Sequence, residues 1–208
     1  MTRDVQSTPH YDLVVIGSGQ GGNPLASEFA HAGKRVALVE REHIGGTCIN
    51  DGCSPTKTMI ATARVAHVAR RASEYGVHSG DVSVDLRRVR ARKAEIVERF
   101  RQGSERGLAD SGVDVLRGQA TFVGERTLAV RGLNPPVTLT AETAVINTGL
   151  APAIPDIQGL DTVAYLTSTS VMELDHVPEQ LIVMGGGYVG RVRADVPPLR
   201  QCRHSHPA

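Results

Sequence analysis

The residues of this chain best suited to chemistry are two cysteines, Cys48 and Cys53, in the spacing C-x-x-x-x-C. They lie in the segment 45–57, which reads G-G-T-C-I-N-D-G-C-S-P-T-K. If this segment forms one helical turn or a tight loop, the two thiols are close enough to pair. Pro55 suits a helix that begins at this point, and a helix N-terminus together with the nearby Lys57 would raise the reactivity of a cysteine there. The pattern indicates a redox-active dithiol.

Three other interpretations of the cysteine pair stay open: a structural disulfide, a zinc site and two incidental cysteines. Export is not expected, because the N-terminus is polar and has no apolar core of a signal peptide, and a cytoplasmic protein seldom carries a structural disulfide. A zinc site needs two further ligands, and no second cysteine pair exists. His43 and His67 would have to complete a scattered set, so we expect no metal.

The elements before the cysteines have the pattern of a β-α-β unit. The run 11–16 is short, apolar and rich in β-branched residues, which is typical of a strand buried on both faces. A helix is predicted over 23–32, with Pro24 in its first turn and Gly33 just past its end. A second strand is predicted over 35–39.

A glycine-rich turn and an acid complete this unit. The turn reads G-x-G-x-x-G and contains Gly17, Gly19 and Gly22, and the second strand ends at Glu40. The first glycine permits a tight turn, the second lets the backbone approach a pyrophosphate, and the third lets helix and strand pack closely. Glu40 can accept hydrogen bonds from a ribose diol and disfavours a 2′-phosphate. The pattern predicts dinucleotide binding; the alternative is a doubly wound fold whose glycine turn binds nothing.

The middle of the chain predicts an amphipathic helix followed by short strands. The helix is expected over 85–108, and its many arginines fit a solvated face better than an anion-binding one. The predicted strands are 112–118, a hairpin of 120–123 with 127–130, then 137–140, and a further strand that begins at Ala144.

Composition narrows the class of protein. The chain has 208 residues and a formal net charge of +1, which argues against dedicated nucleic-acid binding. No apolar run reaches the roughly 20 residues that a membrane span needs. We therefore expect a cytoplasmic α/β protein that binds neither nucleic acid nor membrane.

The segment 45–57 resembles the signature G-G-T-C-x-N-x-G-C-x-P-S-K of the class I pyridine nucleotide-disulfide oxidoreductases, which include dihydrolipoamide dehydrogenase, glutathione reductase and mercuric reductase. Thr56 in place of Ser is the one departure. The segment 58–77 looks most like the mercuric-reductase-like branch. The resemblance implies a Rossmann-like FAD-binding domain with an inserted β-hairpin. It also implies that Cys48 is the interchange thiol and that Cys53 is the thiol in charge-transfer contact with the flavin.

A second block carries the same resemblance. The strand from Ala144 ends in Thr148-Gly149. Together with the residues that follow, this end is similar to the family's A-T-G-x-x-P…P-x-I-x-G block, with Asn147 where the family has Ala. The resemblance places Glu40 on the FAD ribose and Lys57 beside the reactive flavin nitrogen. The residues that it implies in contact with FAD are Gly17, Gly19, Gly22, Glu40, Thr47, Lys57, Ala120, Thr148 and Gly149.

A second glycine motif follows an apolar strand at 181–184. It contains Gly185, Gly187 and Gly190, which the resemblance assigns to the start of an NAD(P)-binding Rossmann domain. The predicted domains are therefore 1–155 for FAD and the dithiol, 156–190 for the start of the NAD(P) domain, and 191–208 for an aberrant tail. Pro197-Pro198 falls where that domain's helix should continue, and a frameshift is the hypothesis for this tail.

The resemblance implies an FAD-dependent oxidoreductase that moves electrons from NAD(P)H through Cys48 and Cys53 to a small-molecule disulfide or a metal ion. The family's dimerisation domain has no counterpart in this sequence, so the homodimer of the family is not expected of this chain alone. One alternative is an inactive FAD-binding remnant. Another is a redox sensor module that works without a nicotinamide partner.

Overall fold

The computed structural model describes residues 8–190 and the backbone of 202–205. Short 3₁₀ helices occur at Ala72–Tyr75, Leu160–Thr162 and Ser170–Glu173. The helices and strands are β1 His10–Ile16, α1 Gly22–His31, β2 Val36–Glu40, α2 Gly46–Asn50, α3 Cys53–Arg70, α4 Leu86–Asp110, β3 Asp114–Arg117, β4 Gln119–Gly124, β5 Thr127–Arg131, β6 Val137–Ile146, β7 Leu181–Met184 and β8 Cys202–Ser205.

The chain divides into two compact units, each built from two separate stretches. The first unit combines 1–50 with 99–150, and the second combines 51–98 with 151–208. Helix α4 contributes residues to both. The predicted tail at 191–208 lies outside the described residues, apart from the backbone of β8.

The first unit is built on a six-stranded sheet in the order β3-β2-β1-β6-β5-β4. Strands β3, β2, β1 and β6 are parallel, and β5 and β4 add an antiparallel hairpin at one edge. The predicted β-α-β unit and the hairpin are both confirmed, and the fold is the expected Rossmann-like α/β arrangement. The carboxyl ends of β1, β2 and β6 meet at one edge, which is where such folds bind dinucleotides.

Strand β6 corrects the sequence prediction, which had separate strands at 137–140 and from Ala144. The structure has one strand, because the pairing partner changes at Thr140 while the strand continues. Its first half pairs with β5 in antiparallel register, and its second half pairs with β1 in parallel register from His10 opposite Thr140 onward. Residues 140–143, three of which are polar, therefore lie inside the strand. The predicted strand 112–118 is also shorter, at Asp114–Arg117.

Two apolar clusters pack against the sheet of the first unit, and each contains eight buried residues. Strands β1 and β2 contribute to both, because alternate side chains point to opposite faces. The short apolar run of β1 thus serves a sheet that is covered on both sides, as its composition predicts.

The second unit has a smaller cluster of five buried residues, formed by α3, the start of α4 and the 3₁₀ helix Ser170–Glu173. Lys93 of α4 is buried beside it, donates to the carbonyl of Met172 at 3.2 Å and forms an ion pair with Glu173. Arg90 donates to the carbonyl of Glu173 at 2.8 Å, and Arg92 donates to that of Thr58 at 3.2 Å. Both arginines are exposed, as a solvated face predicts, and each also donates to a backbone carbonyl within the unit.

Among the helices of the described residues, none combines the length and the apolar character that crossing a bilayer requires.

Candidate functional site

The glycine-rich turn after β1 lies against the carboxyl ends of two neighbouring strands. Gly17 has φ +99°, and its N–H donates to the carbonyl of Val39 in β2 at 2.8 Å. On the other side, the N–H of Asn147 after β6 donates to the carbonyl of Ile16 at 2.8 Å. A side chain at Gly17 would collide with the backbone of Asn147. Glycine is required here by the positive φ and by the lack of space.

The turn leads into α1 at a very close approach. A Cβ at Gly22 would lie 2.5 Å from the carbonyl oxygen of Gly17 and 2.6 Å from Nδ2 of Asn147. No side chain caps the helix, and its first turn has no acidic residue. Among the described residues, therefore, no capping side chain or first-turn acid offsets the partial positive charge of this helix end, which suits the pyrophosphate of a dinucleotide.

Glu40 lies at the end of β2, and hydrogen-bond donors surround its carboxylate. Oε2 accepts from both the backbone N–H and the hydroxyl of Ser18, each at 2.9 Å, and Oε1 accepts from the N–H of Glu42 at 2.7 Å. Burial by itself raises the pKa of Glu40, but these hydrogen bonds outweigh burial and hold the pKa below its usual range. The group is thus a fixed anion, as an acceptor for a ribose diol should be.

The segment that carries Cys48 is fastened to the same turn. The N–H of Gly45 donates to the hydroxyl of Ser18 at 3.0 Å, and a Cβ at Gly46 would lie 2.5 Å from Cα of Gly19. Helix α2 then places Cys48 in a partly buried position. Within one unit, therefore, the glycine turn holds both the acid and the beginning of the cysteine segment.

Asn50 closes this segment from its far end. Its Nδ2 donates to the carbonyls of Ile44 at 3.2 Å and of Gly46 at 2.9 Å, and its Oδ1 accepts from Nε of Arg101 in α4. The side chain thus spans α2 and fixes the turn before Cys48.

Cys53 belongs to the second unit, where it is the first residue of α3 and is exposed. Lys57 is exposed one helical turn further on, on the same face of α3. Pro55 and the predicted helix start are confirmed. Among the described residues, no group of three or more His, Cys, Asp or Glu side chains is arranged to hold a metal ion.

Four other residues are predicted to contact FAD. Thr47, Thr148 and Gly149 lie near the glycine turn, and Ala120 lies on the hairpin. Thr148 and Gly149 follow β6, and Gly149 has φ +70°. Oγ1 of the exposed Thr47 would lie 3.7 Å from a Cβ at Gly149. Ala120 lies in β4, opposite Val130 of the hairpin.

The second glycine motif follows β7 in the second unit. Gly185 has φ +92°, and a Cβ at Gly190 would lie 3.2 Å from the carbonyl oxygen of Gly185. Gly187 has open space around it, and residues 188–190 are helical. Residues 191–201 lie outside the described part of the chain.

Sequence reasoning missed three residues of the site: Ser18, Asn50 and Asn147. Asn147 stands where the family has Ala, and its Nδ2 donates to the carbonyl of Gly17 at 3.1 Å. All three are small polar residues inside or beside glycine motifs, and that composition is the signal that could have identified them.

Comparison with known proteins gives a consistent family. The family model described as "Pyridine nucleotide-disulphide oxidoreductase" matches residues 11–196. A mercuric reductase from Streptomyces lividans is 40% identical, with 92% of this chain and 41% of the relative covered. A dihydrolipoyl dehydrogenase from Geobacillus stearothermophilus is 33% identical, with 86% and 38% covered.

A solved structure also matches. The HOCl-induced flavoprotein disulfide reductase RclA from Escherichia coli superposes with a TM-score of 0.76 at 33% identity, over 94% of this chain and 41% of that chain. The chain therefore spans about two fifths of the length of these relatives. With the glycine turn, Glu40 and the cysteine segment in place, the chain belongs to the pyridine nucleotide-disulphide oxidoreductase family.

Proposed function

We propose that this chain carries the FAD-binding and dithiol part of an oxidoreductase that uses NAD(P)H to reduce a small-molecule disulfide or mercuric ion. The observation that carries the proposal is in the first unit, where one glycine turn holds the uncapped end of α1, the anionic Glu40 and the segment with Cys48. The names of the relatives supply the substrate classes.

The residues present fit FAD. The uncapped end of α1, with Gly17, Gly19 and Gly22, would receive the pyrophosphate, because there is no side chain to exclude it. Glu40 would accept from the ribose hydroxyls. Further contacts are assigned to Thr47, Lys57, Ala120, Thr148 and Gly149. When bound, FAD supplies the capacity to accept a hydride from NAD(P)H and to deliver an electron pair to the cysteines.

Cys48 and Cys53 perform the thiol chemistry. The Cys48 thiolate attacks one sulfur of the substrate disulfide, the other sulfur leaves as a thiol, and Cys53 then displaces the remaining substrate sulfur from Cys48. The pair ends as a disulfide, and the substrate ends as two thiols, so two electrons and two protons are transferred. The assignment of Cys48 and Cys53 as one redox pair rests on the sequence signature. The two cysteines belong to different compact units, so it is the signature, and not a distance, that pairs them.

The second glycine motif, Gly185, Gly187 and Gly190, is assigned to NAD(P)H. A cytoplasmic location and the division into domains at 155 and 190 stay predictions. The whole reaction and its homodimeric assembly are proposed for the full length of such an enzyme, of which this chain spans about two fifths.

The test is to load the purified full chain with FAD and follow flavin fluorescence and stoichiometry. Then the chain is oxidised with diamide and its disulfides are mapped by mass spectrometry. We expect one bound FAD and a Cys48–Cys53 disulfide that Cys48→Ser and Cys53→Ser each abolish. The matched control Cys202→Ser should leave both results unchanged.

Two outcomes would contradict the proposal: a chain that is folded but takes up no FAD, or a disulfide that includes Cys202. Bound FAD that neither NADH nor NADPH reduces would instead favour the FAD-binding remnant. Flavin bleaching under anaerobic conditions measures this directly.

A further inference from the structure

Ser18 is the second residue of the glycine turn, and its side chain is fully buried. A buried hydroxyl needs hydrogen-bond partners, and this one has them on both sides. Its oxygen accepts from the N–H of Gly45 at 3.0 Å, and it approaches Oε2 of Glu40 at 2.9 Å and the carbonyl of His43 at 3.5 Å.

The direction of the single hydroxyl proton follows from these partners. Gly45 is a donor, so it occupies a lone pair and leaves the proton for an acceptor. The carboxylate of Glu40 is charged and lies closer than the carbonyl of His43, so the proton points to Glu40. The backbone N–H of Ser18 donates to the same oxygen. One residue thus holds one carboxylate oxygen with two hydrogen bonds.

We propose that Ser18 is a positioning residue for cofactor binding: its hydroxyl, fixed by Gly45, holds the carboxylate of Glu40 in the orientation that receives the adenosine ribose of FAD. The inference rests on the proposed function and deepens it. The second position of the G-x-G-x-x-G motif, which the motif leaves unspecified, thereby gains a role in positioning Glu40.

Two arginines adjoin Glu40, one in the chain and one in the sheet, and both pair with other carboxylates. Arg41 pairs with Glu42 at 3.1 Å. Arg117, the register partner of Glu40 in β3, pairs with Glu105. Hydrogen bonds to Ser18 and to the backbone therefore hold the carboxylate, whereas the neighbouring cations have partners of their own.

A double-mutant cycle in the full chain tests this inference. Ser18→Ala removes only the hydroxyl and keeps the backbone donor. We expect it to raise the dissociation constant for FAD about tenfold, the usual effect of losing a hydrogen bond to a charged group. In a Glu40→Gln background the same change should cost about twofold or less, because Ser18 acts through Glu40. Equal losses in both backgrounds would overturn the proposal, since Ser18 would then act through the Gly45 turn alone.

Two variants guard against a folding effect. Ser18→Cys keeps a donor at this position, although a weak one on a larger sulfur atom, and should show at least the loss of Ser18→Ala. Ser111→Ala removes an exposed hydroxyl that donates to Gly107 at 2.7 Å, and it should leave FAD affinity unchanged. Circular dichroism and thermal melting confirm that each variant is folded.

A second measurement needs no flavin. The carboxyl carbon of Glu40 is titrated by NMR in the flavin-free chain, and Ser18→Ala should raise the pKa of Glu40 towards its usual value. An unchanged titration would refute the positioning role even if the chain binds FAD. If the original chain binds no FAD, the proposed function fails, and the titration still decides whether Ser18 holds Glu40.

Discussion

At Glu40, hydrogen-bond donors have more influence than burial on the protonation state of the carboxyl group. A partly buried carboxylate without partners would have a raised pKa, yet the N–H groups of Ser18 and Glu42 and the Ser18 hydroxyl lower the pKa of Glu40. The same hydrogen bonds also stabilise the fold, because they exist only in the folded chain.

This coupling predicts a pH dependence. Because the folded pKa of Glu40 lies below the ordinary value near 4.5, its stabilising contribution is present above that value and is lost as the pH falls through the folded pKa. We expect Glu40→Gln to lower the free energy of unfolding at pH 7 by about 1 kcal/mol, allowing for partial exposure. The difference should shrink below about pH 4.5. Urea unfolding of the flavin-free chain at several pH values measures it.

The matched control is Glu125→Gln, which makes the same change at an exposed residue of the β4–β5 turn. It should show little difference at any pH. A Glu40→Gln deficit that is as large at pH 3 as at pH 7 would contradict the assignment.

At the scale of elements, the approach of α1 to the sheet depends on Gly22. The helix begins against the carbonyl of Gly17 and the carboxamide of Asn147, so no other residue fits without displacement. The same contact fixes the turn that would lie under a pyrophosphate. Packing of the helix and the proposed binding of the cofactor therefore depend on the same position.

We expect Gly22→Ala to destabilise the chain by about 2 kcal/mol through overpacking and to abolish FAD binding. The control is Gly103→Ala in α4, where a Cβ meets no atom within 4 Å. Since alanine is the better helix former, this change should stabilise the chain by about 0.5–1 kcal/mol. Thermal melts and FAD titrations of both variants measure these effects. If the Gly22→Ala variant melts and binds FAD like the original chain, the requirement for glycine at this position is refuted.

At the scale of the whole molecule, the two compact units differ in the size of their apolar cores. The first contains two clusters of eight buried residues on a six-stranded sheet, and the second contains one cluster of five among the described residues. Since burial of apolar area supplies most of the stability, the second unit should open more readily.

Native-state hydrogen exchange measures this difference. We expect the amides of β1 and β2 to exchange only through global unfolding, and those of α3 to exchange at least tenfold faster through local opening. Equal protection of α3 and β1 would show that the two units unfold together. Addition of FAD should slow exchange in the glycine turn of the first unit.

The sequence by itself determined the β-α-β unit, the glycine turn, the acid at its end, the hairpin and the cysteine signature. Each depends on residues that are close in the chain, where periodicity and spacing dictate local conformation. The roles of the two cysteines and of the second glycine motif stay predictions at this level.

Only the tertiary structure decided that Asn147 donates to Gly17, 130 positions away, and that Ser18 holds Glu40, 22 positions away. It also decided that β6 is one strand, since β1 and β5 share it as a partner. Such contacts join residues that are remote in sequence, and no local pattern of residue types specifies which distant donor meets which acceptor. The sequence thus identified the groups that could bind a dinucleotide, and the fold determined which neighbours hold them in place.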